Sequence, residues 1–323
     1  MSKYAGWIGW MLVGVGLLGC ESGGQEPSTE VVDEADESDL TSAGSYVPIL
    51  DYWKTGADQS RWIALRQSLN SAFDNICGDT FCGGDYSNLT SLGLDCSVSR
   101  KTGRVAQCVW TFAGSQQSIN AKSGKVTVSA PSFQCRVATK ATANAVLKAL
   151  EVDPLYAIIP NTKTSLYDIL GGCFGQPIGA TALPDPGTGN FVEALDSFTT
   201  GEDQLAWIEA TQALRGAFDN ICGDTFCGGD YSNLASLRFT CSANQKTGAL
   251  GSCAWVFGGS YTTVAASNGV ISVNAKSPVC PVPVSGKAVD LAKALLAPGP
   301  QDALNRPLPG GTKSAYDALT GCL

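Results

Sequence analysis

SLGLDCSVSRKTGRVAQCVWTF, Ser91 to Phe112, reads as two strands and a turn. A three-residue loop centred on Lys101-Thr102-Gly103 closes it, with glycine free to take a positive φ. Cys96 then faces Cys108, Leu94 faces Trp110, and Leu92 faces Phe112. One face carries Leu92, Leu94, Cys96 and Val98 against Ala106, Cys108, Trp110 and Phe112; the other carries Ser91, Asp95, Ser97, Gln107 and Thr111. Side chains alternate across a strand, so this register places every large apolar residue but Val109 on one face. It predicts a Cys96–Cys108 bridge on that face, contributing about 3 kcal/mol by chain-entropy reasoning.

The same hairpin returns 145 residues later, with Leu237, Phe239 and Cys241 against Cys253, Trp255 and Phe257. The repeat extends well beyond it. AFDNICGDTFCGGDYSNL at Ala72–Leu89 recurs unchanged at Ala217–Leu234, whereas fewer than half of the surrounding positions are shared. Of 13 cysteines, Cys20 stands apart and the others form two sets of six: Cys77, Cys82, Cys96, Cys108, Cys135 and Cys173, then Cys222, Cys227, Cys241, Cys253, Cys280 and Cys322. Even sets imply a disulfide framework in an exported chain. Besides Cys96–Cys108 and its twin Cys241–Cys253, three pairings of the remaining four are possible in each copy. Cys77–Cys82 and Cys135–Cys173 are the favoured pair, with Cys222–Cys227 and Cys280–Cys322 as twins.

Each copy also offers a helix before the hairpin, with Trp62, Leu65, Leu69, Phe73 and Ile76 at helical spacing and Gly78 after it. Thr55 or Asp58 is placed to cap its start. Strands are expected near QSIN and KVTVSA, with Cys135 closing the sheet. Helices are expected at TANAVLKALEV and TSLYDILGGC, separated by Asp153-Pro154. The expected fold class is α+β: two tandem homologous disulfide-stapled domains, each a helix, a four-stranded antiparallel meander and C-terminal helices. The divisions are a leader over 1–19, an acidic disordered tether over 20–45, repeats over 46–174 and 191–323, and a loose Gly/Pro-rich linker over 175–190.

The chain begins MSKYAGWIGWMLVGVGLLGC, a basic start and an apolar run too short to span a bilayer comfortably. Leu17-Leu18-Gly19-Cys20 resembles the lipobox of bacterial lipoprotein precursors. The resemblance implies lipidation of Cys20, cleavage before it, and a membrane partner through the anchor. Glu21, in place of the aspartate that favours inner-membrane retention, points to the outer membrane of the cell envelope. The resemblance covers only these twenty residues.

The net charge of −8 is local: residues 21–40 hold eight of the 29 acids and no base, leaving the rest near −1. Such a body gives no reason to expect nucleic-acid binding. There is no histidine. That excludes Ser-His-Asp and Cys-His nucleophiles and His-ligated metals, so an enzyme is not expected.

The invariant stretch holds Asp74, Asp79, Asp85 and Asn88, matched by Asp219, Asp224, Asp230 and Asn233, with no base in the sequence from Asp74 to Asn88. Carboxylates beside helix-end carbonyls make a calcium-like site one reading, and no other cofactor is implied. Asp79 and Asp85 as an acid–base pair of a glycoside hydrolase is another. A third is a stapled turn in which Phe81 and Tyr86 plug the core. Phe81, Tyr86, Phe226 and Tyr231 are also the aromatic candidates for recognition. The expected function is a lipid-anchored envelope protein that binds a protein or glycan. The alternatives are a structural surface protein without a ligand and a carboxylate hydrolase.

Overall fold

The computed structural model describes residues 45–299 and 302–323, except the side chains of Asp224 and Asp230. The leader, Cys20 and nearly all of the acidic tether lie outside this range. No described helix is long and apolar enough to cross a membrane.

The first copy contains β1 (Tyr46–Pro48), the single turn α1 (Ile49–Tyr52) and the long helix α2 (Gly56–Cys77), then β2 (Thr90–Ser99) and β3 (Val105–Ala113). It continues through β4 (Gln116–Ile119), β5 (Val126–Ser129), β6 (Ser132–Val137), α3 (Ala143–Val152) and α4 (Leu166–Cys173). The second contains β7 (Phe191–Glu193), α5 (Gly201–Ile221), β8 (Ala235–Asn244), β9 (Leu250–Val264), β10 (Ile271–Lys276), β11 (Val279–Val282), α6 (Ala288–Leu296) and α7 (Ala315–Thr320). All strand pairings are antiparallel, and helices and sheets together make an α+β fold.

The hairpin registers at its centre as expected, with Cys96 opposite Cys108 and Leu94 opposite Trp110. Leu92 departs from it. A bulge between Ser91 and Gly93 sets Ser91 opposite Phe112. The extra residue turns Leu92 out of the alternation. Ser91 Oγ then accepts from Trp110 Nε1 at 2.8 Å. A second bulge pairs Val98 with Val105, so Ala106 is not its partner. The sheet is also not a four-stranded meander. Its order is β1-β2-β3-β6, and β4 and β5 pair only with each other.

The apolar stripe of α2 lies against one face of this sheet. Trp62, Leu65, Leu69 and Phe73 join Leu94, Trp110, Phe112 and Phe133 in one buried cluster, and Trp207, Leu214, Phe218, Trp255 and Phe257 join in a second. Trp53 is in the first, its Nε1 donating to Asn144 Oδ1 at 2.7 Å. All twelve described cysteines pair as favoured: 77–82, 96–108, 135–173, 222–227, 241–253 and 280–322.

The other face of each hairpin is mostly polar, and its centre is buried against the opposite copy. Ser97 and Ser242 are wholly buried, as is Val109. The contacts that bury them occur in exchanged pairs. Tyr46 N donates to Ala266 O at 3.0 Å, and Phe191 N donates to Ala121 O at 2.9 Å. Ser97 Oγ donates to Gly269 O, and Ser242 Oγ donates to Gly124 O. Ile271 N donates to Gln107 Oε1, and Val126 N donates to Ser252 Oγ. Each contact becomes its partner when 145 is added to one residue number and taken from the other. Such reciprocity is the signature of a two-fold, isologous junction. A third buried cluster lies on it, formed by Leu92, Ala113, Leu237 and Val256. The bulge therefore sends Leu92 to the junction.

Residues 175–190 were expected to be loose, yet they are held to the first copy. Ile178 exchanges both main-chain hydrogen bonds with Ser132, and Ala121 N donates to Pro186 O at 2.8 Å.

Candidate functional site

The repeated stretch runs from the last turns of α2 into β2. Helix α2 ends at Cys77, and Gly78 keeps a right-handed conformation, so no left-handed cap is used. The chain folds back through Cys82 N, which donates to Cys77 O at 2.6 Å under the Cys77–Cys82 bridge. Gly84 supplies the positive φ, at 75°, from which the short turn Gly84–Tyr86 starts.

The aromatic candidates pack inward. Phe81 stacks on Phe73 with centroids 6.4 Å apart and also meets Tyr167 and Phe174. Tyr86 sets its edge against Phe133. Phe226 repeats the stacking on Phe218. Tyr231 lies beneath Lys276 Nζ, 3.9 Å from its ring centroid, and donates its hydroxyl to Asn274 Oδ1. Of the two readings of these rings, packing describes Phe81, Tyr86 and Phe226.

Asn88 links the copies. Its Oδ1 accepts from Ser115 N at 2.8 Å, and its Nδ2 donates to Ser115 Oγ at 2.7 Å and to Leu237 O at 3.3 Å. Asn233 repeats the pattern with Ser260 N, Ser260 Oγ and Leu92 O. An amide presents an acceptor and donors together, which a carboxylate or hydroxyl of similar size cannot reproduce. Both asparagines are thus engaged as hydrogen-bonding groups of the junction.

The acids do not converge. Asp79 and Asp85 are exposed, and Asp85 Oδ1 accepts from Gln116 Nε2 at 2.9 Å. Asp74 lines a different space, a cavity of about 380 Å³ that also touches Gly78, Ser87, Asn88, Arg215 and Leu237. Asp74 is exposed as a residue, but partial burial of its carboxyl raises it above the usual range, and Arg215 of the other copy offsets part of that rise. Asp219 is raised by burial and offset by the same arginine. A base is therefore near Asp74 in space although none follows it in the loop. Among the described residues no three acidic or cysteine side chains are gathered as an ion would require. Of the calcium-like set, Asp74 and Asn88 line one cavity, and Asp79 and Asp85 are exposed and are not in its walls. In the second copy the side chains of Asp224 and Asp230, two members of the matching set with Asp219 and Asn233, lie outside the described residues.

The copies differ at one cavity. In the first, Arg66 lies across Gly93, where a β-carbon would run into Nη2, and Arg66 pairs with Asp95 at 3.8 Å. In the second, Thr211 and Arg238 stand at these positions, and Arg238 pairs with Glu193 at 2.8 Å. The guanidinium has moved from helix to strand. A cavity of about 250 Å³ lies there, lined by Trp207, Thr211, Arg215, Arg238 and Phe239. A larger open groove, about 710 Å³, runs between the linker and the β4 and β7 strands, with Gln117, Ile119, Pro184, Pro186, Phe191 and Asp196 in its walls.

Comparison with protein-family models, with curated proteins and with solved structures found no match.

Proposed function

We propose that the chain is a lipid-anchored protein of the bacterial cell envelope whose two tandem domains act as one rigid binding module for a protein or glycan. The observation that carries the export half of this reading is the pairing of all twelve cysteines other than Cys20. Disulfides form and persist in oxidising compartments, and bacterial cytosol is not one. The lipobox-like Leu17–Cys20 supplies the anchor, and the acidic stretch after it supplies the spacer. Binding is favoured over catalysis because the acids of the invariant loop are spent on solvent and on the copy junction. The open groove beside the linker combines prolines, Ile119 and Phe191 with a few polar groups, the composition of a ligand site.

The test is fractionation of the host envelope. Cys20→Ser should move the protein from membranes to the soluble fraction, and retention in the membrane fraction would sink the anchor. Purified protein titrated with wall glycan fragments and with peptides should show saturable binding to one class. Saturation with neither leaves a structural surface protein.

A further inference from the structure

The first copy carries a peptide on its surface, namely the linker. Four anchors hold it. Ser132 exchanges both main-chain hydrogen bonds with Ile178, and Ser129 Oγ accepts from Thr181 N at 2.9 Å. Ser118 Oγ donates to Pro184 O at 2.7 Å, and Ala121 N donates to Pro186 O at 2.8 Å. Ser118, Ala121, Ser129 and Ser132 are all buried.

Adding 145 gives the same strip on the second copy: Thr263, Ala266, Asn274 and Ser277. There Thr263, Ala266 and Asn274 are exposed and Ser277 is half-buried. Asn274 is held by Tyr231 and Tyr261. The Thr263 hydroxyl, the Ala266 N–H and the Ser277 main chain make no hydrogen bond to any described residue. Both hairpins are paired internally, β4 with β5 and the end of β9 with β10, so the two strips share one backbone frame.

We infer that this strip on the second copy docks an extended, proline-containing segment of a partner polypeptide, in the way the first copy seats Ile178–Gly189. The occupant is read from the template, IGATALPDPGTG. Its main chain makes the hydrogen bonds, and its prolines favour an extended form at little cost in chain entropy. The residues at the corresponding distance before Tyr46, DEADESDLTSAG over 33–44, have no proline and no isoleucine. The inference rests on the reading of the chain as a binding protein and names polypeptide as the ligand class.

The probe is a fluorescein-labelled peptide IGATALPDPGTG, titrated into the full-length protein in detergent and followed by anisotropy. Saturable binding with Kd on the order of 100 μM is expected for one short extended segment. Thr263→Lys, which obstructs the strip, and Ser277→Pro, which removes one N–H, should each weaken it at least tenfold. Circular dichroism of both variants reports whether they fold, and Thr263→Ala serves if Thr263→Lys does not. Equal binding to wild type and folded variants would overturn the inference, since the peptide would then be exchanging with the native linker. So would absence of saturation. A chain beginning at residue 45 separates the remaining case: binding seen only there would assign the strip to the protein's own acidic segment. Any of these failures leaves the anchor, and saturable glycan binding, untouched.

Discussion

Asn88 donates its side-chain amide to the carbonyl oxygen of Leu237, 3.3 Å away in the other copy, and Asn233 returns the bond to Leu92. The loop kept letter for letter in both copies is thus kept, in part, because each copy is the other's partner. An asparagine changed on one side alone leaves the reciprocal site intact but removes half of the link.

That relationship is testable by substitution. Asn88→Ala leaves the buried Ser115 N–H without its acceptor, and should cost about 1–3 kcal/mol in urea unfolding. Asn88→Asp keeps the acceptor and deletes the donor, so it isolates the bonds to Ser115 Oγ and Leu237. A loss under about 0.5 kcal/mol for both variants would contradict the assignment.

Gly124 and Gly269 are the second pair of junction contacts. Both have positive φ, and a β-carbon would fall 2.8 Å from the Phe191 ring or 2.6 Å from the Tyr46 ring. Gly124→Ala and Gly269→Ala should each destabilise by about 1–3 kcal/mol through backbone strain and ring displacement. Near-neutral effects in thermal melts would show that the two copies pack more loosely.

Acid should act in two opposite senses. Burial raises Asp74 and Asp219, so the fold takes up their protons before the unfolded chain does. Their contribution improves as pH falls through the raised values. Asp74→Asn should therefore stabilise the protein at neutral pH, with the gain vanishing in acid. Asp168 and Asp317 are lowered by the backbone and hydroxyl of Ser165 and Ser314 in their capping boxes. Their contribution is present above the ordinary carboxylate range and lost as pH falls through the lowered values. Asp168→Asn should weaken the fold at pH 7 and have no effect at low pH. Urea midpoints across pH separate the two classes.

Calcium should not change the melting temperature by more than about 1 °C relative to chelator, with disulfides intact, because no three acidic side chains are gathered among the described residues. A shift of several degrees that Asp79→Asn abolishes would restore the ion site.

Non-reduced peptide mapping should recover Cys77–Cys82, Cys135–Cys173 and their twins. Replacing Cys135 and Cys173 by Ser opens the longer loop and should cost about 2–5 kcal/mol, measured by unfolding. Recovery of Cys77 joined to Cys135 would refute the framework.

Much of this architecture is legible in a single chain. Strand alternation placed Cys96 opposite Cys108 and Leu94 opposite Trp110, because one large apolar face must leave water. The helical stripe from Trp62 to Phe73 follows from the same requirement at another period. Phe81 stayed open in the sequence between packing and recognition, because its neighbours Tyr167 and Phe174 meet it only in the fold. The displacement of Leu92 was not foreseen, although Gly93 within a strand was the available sign of a bulge.

What alternation and spacing determined are the local pairings, whose partners are near in sequence and whose demand for burial is written in residue type. The tertiary structure alone decided what covers the second face of each hairpin. Alternation put Ser97, Thr111 and Gln107 on the second face but did not say what covers it. Ser97 and Thr111 are buried and Gln107 half-buried because the same surface, turned about a two-fold axis, packs on them. It supplies hydrogen-bond partners to Ser97 and Gln107, whereas the Thr111 hydroxyl has none among the described residues. Complementarity between two copies depends on the relative placement of atoms far apart in the chain, and residue type alone does not encode it. For the same reason Arg215, far from Asp74 in sequence, becomes its neighbouring charge in space.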